Sequence, residues 1–488
     1  MSMAGRITAS AAMRRGRRPM RGKLASVAKG VADDVASSVG GAKGGFMLVL
    51  LFICFFLIFW QNTLPLDSFL VDDGLKGGHE AYTANTVDRL TRIFMILISV
   101  CVIASRWPLA RSFGKAFNPG FAAFMVLAPL SALWSIDRSA TLLRFTSFAC
   151  VVLVCVAVSL SGWHRQRLQQ IAIPPTVCIL VLSLIFGIMY PDKIIEIGDD
   201  VSQKNAWHGI VFSKNAFGML SSAGVILCAN RVLAWEKRTF WYFSGAVIAF
   251  VCLLLSRSST SLLATVLAVF FMTMAMRVPV VKRRYSTKLV IGITVTLLIY
   301  ELVVQNVIPG TNLLLAPIAG LAGKDTTFSA RTMIWFLIKD HIHQAPILGT
   351  GYGAYWTGPF PSSPSFIFMW RMFFYPTESH NGYLEVTNDL GVVGLATLLA
   401  FLYWFVRQGL ELLRFDRTQA CLYLALLFQA MVINMSESDW FSRSSNFTIL
   451  TLATACLARA LLEHRARVPS VAGAEAQAAG RRAKTIPA

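Results

Sequence analysis

Twelve apolar runs recur along the chain, at about 46–60, 91–104, 118–134, 141–161, 171–190, 210–230, 239–256, 260–276, 289–306, 390–406, 418–434 and 446–462. They are continuous rather than alternating, so they read as membrane helices, not as the weak alternating segments of about ten residues that build a transmembrane barrel. Several fall short of the ~20 residues that a span needs and are expected to extend into their flanks. The pattern predicts an all-α polytopic membrane protein of about twelve transmembrane helices. No internal repeat is visible, which weakens an inverted-repeat transporter reading. The connection 307–389, before the tenth span, is by far the longest, and a long ordered loop is usually functional. It is rich in aromatics and turn residues, and short helices are expected in it around 329–343 and 377–388. The division expected is a basic tail (1–45), a bundle of about nine helices (46–306), the large loop (307–389), the last helices (390–462) and a second tail (463–488).

Composition agrees. Of 488 residues, 55% are hydrophobic and 14% charged, against about 25% charged in soluble domains. With a mean hydropathy of +0.59, this excludes a soluble enzyme, a disordered chain and a coiled coil. A net charge of +20 would suggest nucleic acid, but its distribution says otherwise. With the N-terminus inside, the inside segments hold 31 of the 45 Lys+Arg and seven of the 25 acids. The excess is therefore a topology signal and a contact with anionic lipid, with no nucleic acid as partner and both termini cytoplasmic. Segment 1–43 is too long for a signal-peptide n-region, and no A-x-A site follows Trp60, so the first run is read as an uncleaved anchor. All nine cysteines fall in apolar runs without a CxxC, so neither a disulfide framework nor a zinc site is expected.

Candidate chemistry collects at outer span ends. Lys204 and Lys214 flank the start of the sixth span, Arg257 sits in LLLSRSSTSLL, Arg331 in FSARTMIWFLIKD, and His380 in PTESHNGYLEVTNDLG. Cations between apolar spans are costly and point to function, and the planar fork of Arg suits phosphate oxygens. If Arg257, Arg331 and Lys214 converge, the outer mouth would hold a diphosphate. Each has a plainer alternative: a snorkelling Arg257, a surface pair of Arg331 with Asp325, an ordinary helix-start Lys214, a satisfied loop His380 beside Glu378. Gly349-Thr350-Gly351-Tyr352-Gly353 mimics a potassium-filter signature, but a tight glycine turn after the 329–343 helix is the better reading. His341 and His343 face different sides of a helix and make a poor metal pair. The acids Asp72, Asp73, Asp199 and Asp200 read as solvated surface.

Three segments together resemble the O-antigen ligase and Wzy-type polysaccharide polymerase superfamily: GIVFSKNAFGMLSSAGVIL (209–227), SRSSTSLLATVLAVF (256–270), and the loop pair SARTMIWFLIKDHIHQAPILGTGYGAYW (329–356) and ESHNGYLEVTNDLGVVGL (378–395). The loop pair is the most specific part. The resemblance is strong over about 200–400 and is closest to succinoglycan-type exopolysaccharide polymerases. The chain departs from the family at Ala330, where Gly is common, and at Ser213, where His is common; both departures bear on subfamily and substrate.

The resemblance implies a GT-C-like membrane glycosyltransferase at the outer face of the inner membrane. The donor would be a glycan on undecaprenyl diphosphate and the acceptor another glycan, with inversion and with no metal or other cofactor. Arg257, Arg331 and His380 are then carried over as catalytic, and Lys214, Lys204, Tyr352, Glu378 and Asn381 as substrate-binding. A chain-length co-polymerase and a flippase are the partners the family implies. Physically, guanidinium groups would stabilise charge on the departing diphosphate. His380, oriented by Glu378, would be the base for the acceptor hydroxyl. An O-antigen ligase acting on lipid A-core, a lipid-linked-glycan flippase, and a scaffolding protein remain the alternatives.

Overall fold

The computed structural model describes residues 42–64, 86–196, 205–235, 239–305 and 329–483, with side chains described from 45 and 331 in the first and last segments and to 466 in the last. The helices used below are α1 (Ala42–Trp60), α2 (Thr86–Ser105), α3 (Trp107–Ala116), α4 (Pro119–Leu130), α5 (Arg138–Leu160), α6 (Arg167–Met189), α7 (Lys214–Leu233), α8 (Thr239–Leu255), α9 (Ser259–Arg277), α10 (Ser286–Val304), α11 (Ser329–Gln344), α12 (Gly382–Leu412), α13 (Arg417–Ile433) and α14 (Ser445–Ala483). Among the described residues the only sheet is a two-stranded antiparallel ribbon, β1 (Ile195–Glu196) with β2 (Ala206–Trp207). Polar residues at the membrane edge start several helices by accepting a bond from a free first-turn N–H. Asn118 caps α4, Asp137 α5, Ser213 α7, Asn381 α12 and Asp416 α13. At the family departure Ser213, the hydroxyl thus serves as the N-cap of α7.

Every predicted run coincides with a helix. Among the described residues, seven helices are long and apolar enough to cross a membrane, and the α2–α3 pair, bent by 96°, makes up to eight. The remaining four runs are shorter apolar helices: Gly45–Trp60, Pro119–Leu133, Thr239–Leu255 and Arg417–Ile433. The protein is an all-α, multi-pass membrane protein. Residues 105–117, which lie between the second and third runs, are mostly the short helix α3, turned almost at right angles to α2. The helix expected at 377–388 does not stand alone: it begins at Gly382 and runs on into the tenth span across a non-helical Gly391.

Nearly all of α14 from Ser445 to Glu463 is buried, so this last span is the axis of the bundle. Arg459 is fully buried there and pairs with Glu463 at 2.6 Å. A pair one helical turn apart keeps two otherwise costly charges together in the bundle. Of the nine cysteines, all free, seven are buried; Cys178 is half-buried and Cys101 exposed. An aromatic cluster fills the bundle near the start of α14. The Phe441 ring stacks on Phe124 at 3.6 Å and lies 5.6 Å from Phe447 and 5.7 Å from Phe121. This cluster pins the loop between α13 and α14, which carries part of the site.

Candidate active site

The site gathers where α7, α9, α12 and α14 start and α10 and α13 end. Its hub is Glu437, in the α13–α14 loop. Its Oε1 accepts from Arg331 Nη2 at 2.8 Å and from Asn215 Nδ2 at 2.7 Å. Its Oε2 lies 3.5 Å from His380 Nδ1, and Glu378 Oε1 approaches the same nitrogen at 3.1 Å. Four distant stretches of chain therefore meet on one carboxylate. The Glu437 side chain is 10% exposed, while Arg331, His380 and Glu378 are 26, 25 and 31% exposed, so the cluster is a recess with an open side.

Each member is held by local structure. Asn434 Oδ1 accepts from the amides of Asp439 and Trp440, at 2.8 Å each, folding the loop back on the end of α13. Asp439 accepts from Ser442, Ser444 and Asn446. Buried Trp440 and Phe441 anchor the loop in the core. His380 sits at φ +51°, in the left-handed region, which costs a non-glycine residue energy and persists only where the surroundings enforce it. Here Ser379 is fixed by Trp335 Nε1, which donates to its carbonyl at 3.1 Å, and by Glu385, which accepts from its amide at 2.9 Å. Gly382 N, two residues on, donates to Asn434 O at 2.9 Å.

The GTGYG segment is the glycine turn expected, and it braces this region. Gly349, Gly351 and Gly353 all have positive φ, and a Cβ at Gly349 would lie 2.4 Å from the Asp389 backbone. Asp389 Oδ2 accepts from Gly353 N at 2.6 Å, and Arg144 donates to the carbonyls of Gly353 and Trp356. His341 is structural as well, bonded to Asn388 Oδ1 at 2.7 Å.

The remaining expected site residues divide. Arg257 is an exposed residue with φ +51°. Its turn is drawn beside the hub, because Ser436 Oγ bonds Thr260 Oγ1 at 3.0 Å. Gly218 of α7 lets the turn approach closely, since a Cβ there would lie 2.7 Å from Ser258. Lys214 is half-buried at the start of α7, next to Asn215, and its amide donates to Glu196 Oε1 at 3.4 Å. Lys204 lies outside the described residues, as do Asp72, Asp73, Asp199, Asp200 and Asp325.

Two residues expected to contact substrate have their polar atoms engaged within the fold. Asn381 is fully buried and its polar atoms are occupied. Its Oδ1 caps α12 at Tyr383 N and Leu384 N, and its Nδ2 donates to Glu301 Oε1 at 2.9 Å. Its side chain thus ties the start of α12 to α10, next in sequence to His380. Tyr352 packs edge-on against Phe124 and donates its hydroxyl to Phe441 O at 2.6 Å. Its side chain therefore joins two loops. Asn381→Ala removes the cap and strands Glu301, so a loss of about 1–2 kcal/mol is expected from the cap alone. Thermal unfolding in detergent checks this as a Tm several degrees lower.

Glu437 and Asn215 were not singled out from sequence. The signal for Glu437 was present: MSESDWFSRSSN is an acid-bearing turn between two apolar spans on the same face as the candidate cations. Asn215 adjoins Lys214 in the SKN segment.

The charges are mutually set. Burial opposes a charge on His380, but Glu378 and Glu437 outweigh it and raise the imidazole to about 10. Burial likewise opposes charge on Glu437, yet His380 and Arg331 hold it below the usual carboxylate range. Glu378, partly buried and beside Glu437, is pushed up. The resting cluster is thus an imidazolium and a guanidinium on Glu437, with Glu378 poised to gain or lose a proton near neutrality. This changes the expected division of labour. His380 is held charged, and Glu378 is the group whose protonation is free to change. Ligand atoms of Glu378, His380 and Glu437 also lie within 4.8 Å of one another, a spacing that would admit a metal ion in place of the ion pairs.

Residues 244–399 match the family described as O-antigen ligase. That stretch holds Arg257, Arg331, Tyr352, Glu378, His380 and Asn381; Lys214, Asn215 and Glu437 lie outside it. The chain is also similar to a curated relative, "Exopolysaccharide production protein ExoQ" of Rhizobium meliloti (strain 1021). The two are 27% identical over 325 residues, covering 63% of this chain and 69% of the relative. Apolar helices of spanning length, the loop motifs and these two matches agree. They support the resemblance to the O-antigen ligase and Wzy-type superfamily and indicate a membrane glycosyltransferase-type enzyme of polysaccharide biosynthesis.

Proposed function

We propose that this enzyme polymerises oligosaccharide repeat units carried on undecaprenyl diphosphate, at the periplasmic face of the inner membrane. The observation that carries the reading is the Arg331–Glu437–His380–Glu378 cluster, with Arg257 and Lys214 on neighbouring turns of the same bundle end. A lipid diphosphate keeps its tail in the bilayer and its head at the interface, where this recess opens. The relative's name favours an exopolysaccharide product over an O-antigen ligase that uses lipid A-core. The charge asymmetry of the loops favours an orientation with both termini cytoplasmic. On this reading 307–389 is a periplasmic loop carrying part of the site, between helical bundles 46–306 and 390–462.

In the proposed reaction the acceptor hydroxyl attacks the anomeric carbon from the face opposite the diphosphate, inverting it. The new C–O bond forms as the anomeric C–O bond to the diphosphate breaks, and that electron pair leaves on the diphosphate. Arg331 and Arg257, with Lys214, stabilise the departing charge by preorganised electrostatics. The hydroxyl proton passes to the His380–Glu378 pair, with Glu378 as the group free to take it. Cationic His380 adds to the field that holds the anionic leaving group.

The test uses purified protein in nanodiscs with undecaprenyl-diphosphate-linked repeats and EDTA, read on a carbohydrate gel. Wild type gives a ladder and His380→Ala does not. A ladder from the variant would remove His380 from the chemistry. A wild-type ladder lost in EDTA and restored by a divalent cation would overturn the metal-independent reading. No ladder, with transfer to added lipid A-core instead, would make the enzyme a ligase; neither product would favour a flippase.

A further inference from the structure

A second feature lies at the opposite end of the bundle, on the lipid-facing side. Helix α10 packs loosely among the described residues, burying Ser286, Val290, Leu297 and Glu301. Between α10 and the second half of α12 runs an apolar groove with a volume of about 800 Å³, walled by Ile291, Leu298, Leu402 and Val406. That volume lies within the ~300–1,000 Å³ of ordinary ligand sites. At the end away from His380 the groove reaches Arg407, near the end of α12, and Arg414, in the turn that follows it. Both are exposed, and Arg407 lies over Trp404 at 4.4 Å. Glu411 stands between them, but Arg465 takes its carboxylate with bonds of 2.9–3.1 Å. Just beyond Ile291, the turn before α10 exposes Lys282, Arg283 and Arg284, with Lys288 in the first turn. An apolar trough thus ends in a basic collar whose one lining acid is already paired.

We propose that this groove binds one anionic phospholipid of the leaflet opposite the active site, its acyl chains between α10 and α12 and its phosphate on Arg407 and Arg414. The chemistry is that of an amphiphile with one anionic head: apolar walls for the chains, fixed cations where the head emerges. Since α10 contacts the site through Glu301 and Asn381, an occupied groove also steadies the helix that supports the turn of His380.

The experiment uses the full-length protein, delipidated in detergent, with phosphatidylglycerol or phosphatidylcholine of identical chains, and reads bound lipid by native mass spectrometry. Wild type retains phosphatidylglycerol preferentially. The double variant Arg407→Gln/Arg414→Gln lowers that affinity by on the order of 30-fold, about fivefold per charge, and leaves phosphatidylcholine unchanged. Leu298→Trp, which fills the groove, weakens both lipids, while Lys115→Gln, at an exposed lysine of α3, changes neither. Unaltered phosphatidylglycerol binding in the double variant or in Leu298→Trp would overturn the proposal. So would displacement of phosphatidylglycerol by an uncharged polyprenol, equally in wild type and the double variant, since that would make the groove an isoprenoid-tail site. Binding is read without turnover, so this outcome is independent of the polymerase reading.

Discussion

Glu437→Gln is expected to lower kcat by about 10²–10³-fold while the protein stays folded. The carboxylate faces two cationic groups and one amide, and an isosteric amide removes the charge without removing the shape. Breaking a buried pair from one side costs roughly 3–5 kcal/mol, because the remaining charges lose their compensation. Here they are Arg331 and His380, and both move away from the geometry that faces the leaving group. The pH profile carries a second signature that a merely structural defect would not give. In wild type, activity rises as Glu378 gives up its proton near neutrality and falls as His380 loses its own at about 10. Burial already opposes the imidazolium, so removing one of its two carboxylates lowers that value toward the ordinary 6.5, and the alkaline limb moves to lower pH. Steady-state transfer rates between pH 6 and 10, with circular dichroism as the folding control, check both effects. Activity within threefold of wild type and an unmoved alkaline limb would remove Glu437 from the centre of the site.

Arg331→Lys is expected to cost on the order of 10²-fold in kcat, nearly as much as Arg331→Ala. One nitrogen of the guanidinium is committed to Glu437 at 2.8 Å. On the proposed reading, the other edge of the planar fork is what remains for a diphosphate oxygen. A lysine keeps the positive charge but is a single point donor, so it serves the carboxylate or the leaving group and not both in one geometry. Removal of one preorganised donor costs about 10²–10³ in comparable oxyanion sites. The loss should fall on kcat more than on KM, because the charge develops only as the glycosidic bond breaks. Single-turnover transfer with a fixed lipid-linked donor separates the two. A lysine variant as fast as wild type would mean that Arg331 supplies charge alone.

Much of this protein is readable from one dimension. Continuous apolar runs without charge have few physical options in a bilayer, so the helices at these runs follow from local composition, and their polar caps come at their ends. The glycine turn at 349–353 was legible too, because positive φ demands that residue type. Arg257, Arg331 and His380 stood out as polar groups punctuating apolar sequence. Asn381 and Tyr352 show the opposite case. Each sits beside the chemistry in sequence, and only packing shows that its polar atoms are spent on a helix cap and a loop carbonyl.

Glu437 marks the limit. It is 106 residues from Arg331 and 222 from Asn215, and no local pattern links them. The pairing exists because α14 runs through the core, the stacked Phe441 and Phe124 hold the loop before it, and Asn434 folds that loop back on α13. The proton balance of His380 follows from the same placement: a lone histidine titrates near 6.5, and one facing two carboxylates near 10. Sequence alone determined which segments enter the membrane and which residue types stand at their ends, since those depend on the solvation of each segment by itself. Tertiary structure alone decided which charges face one another, since electrostatic energy depends on distance in space and not on separation along the chain.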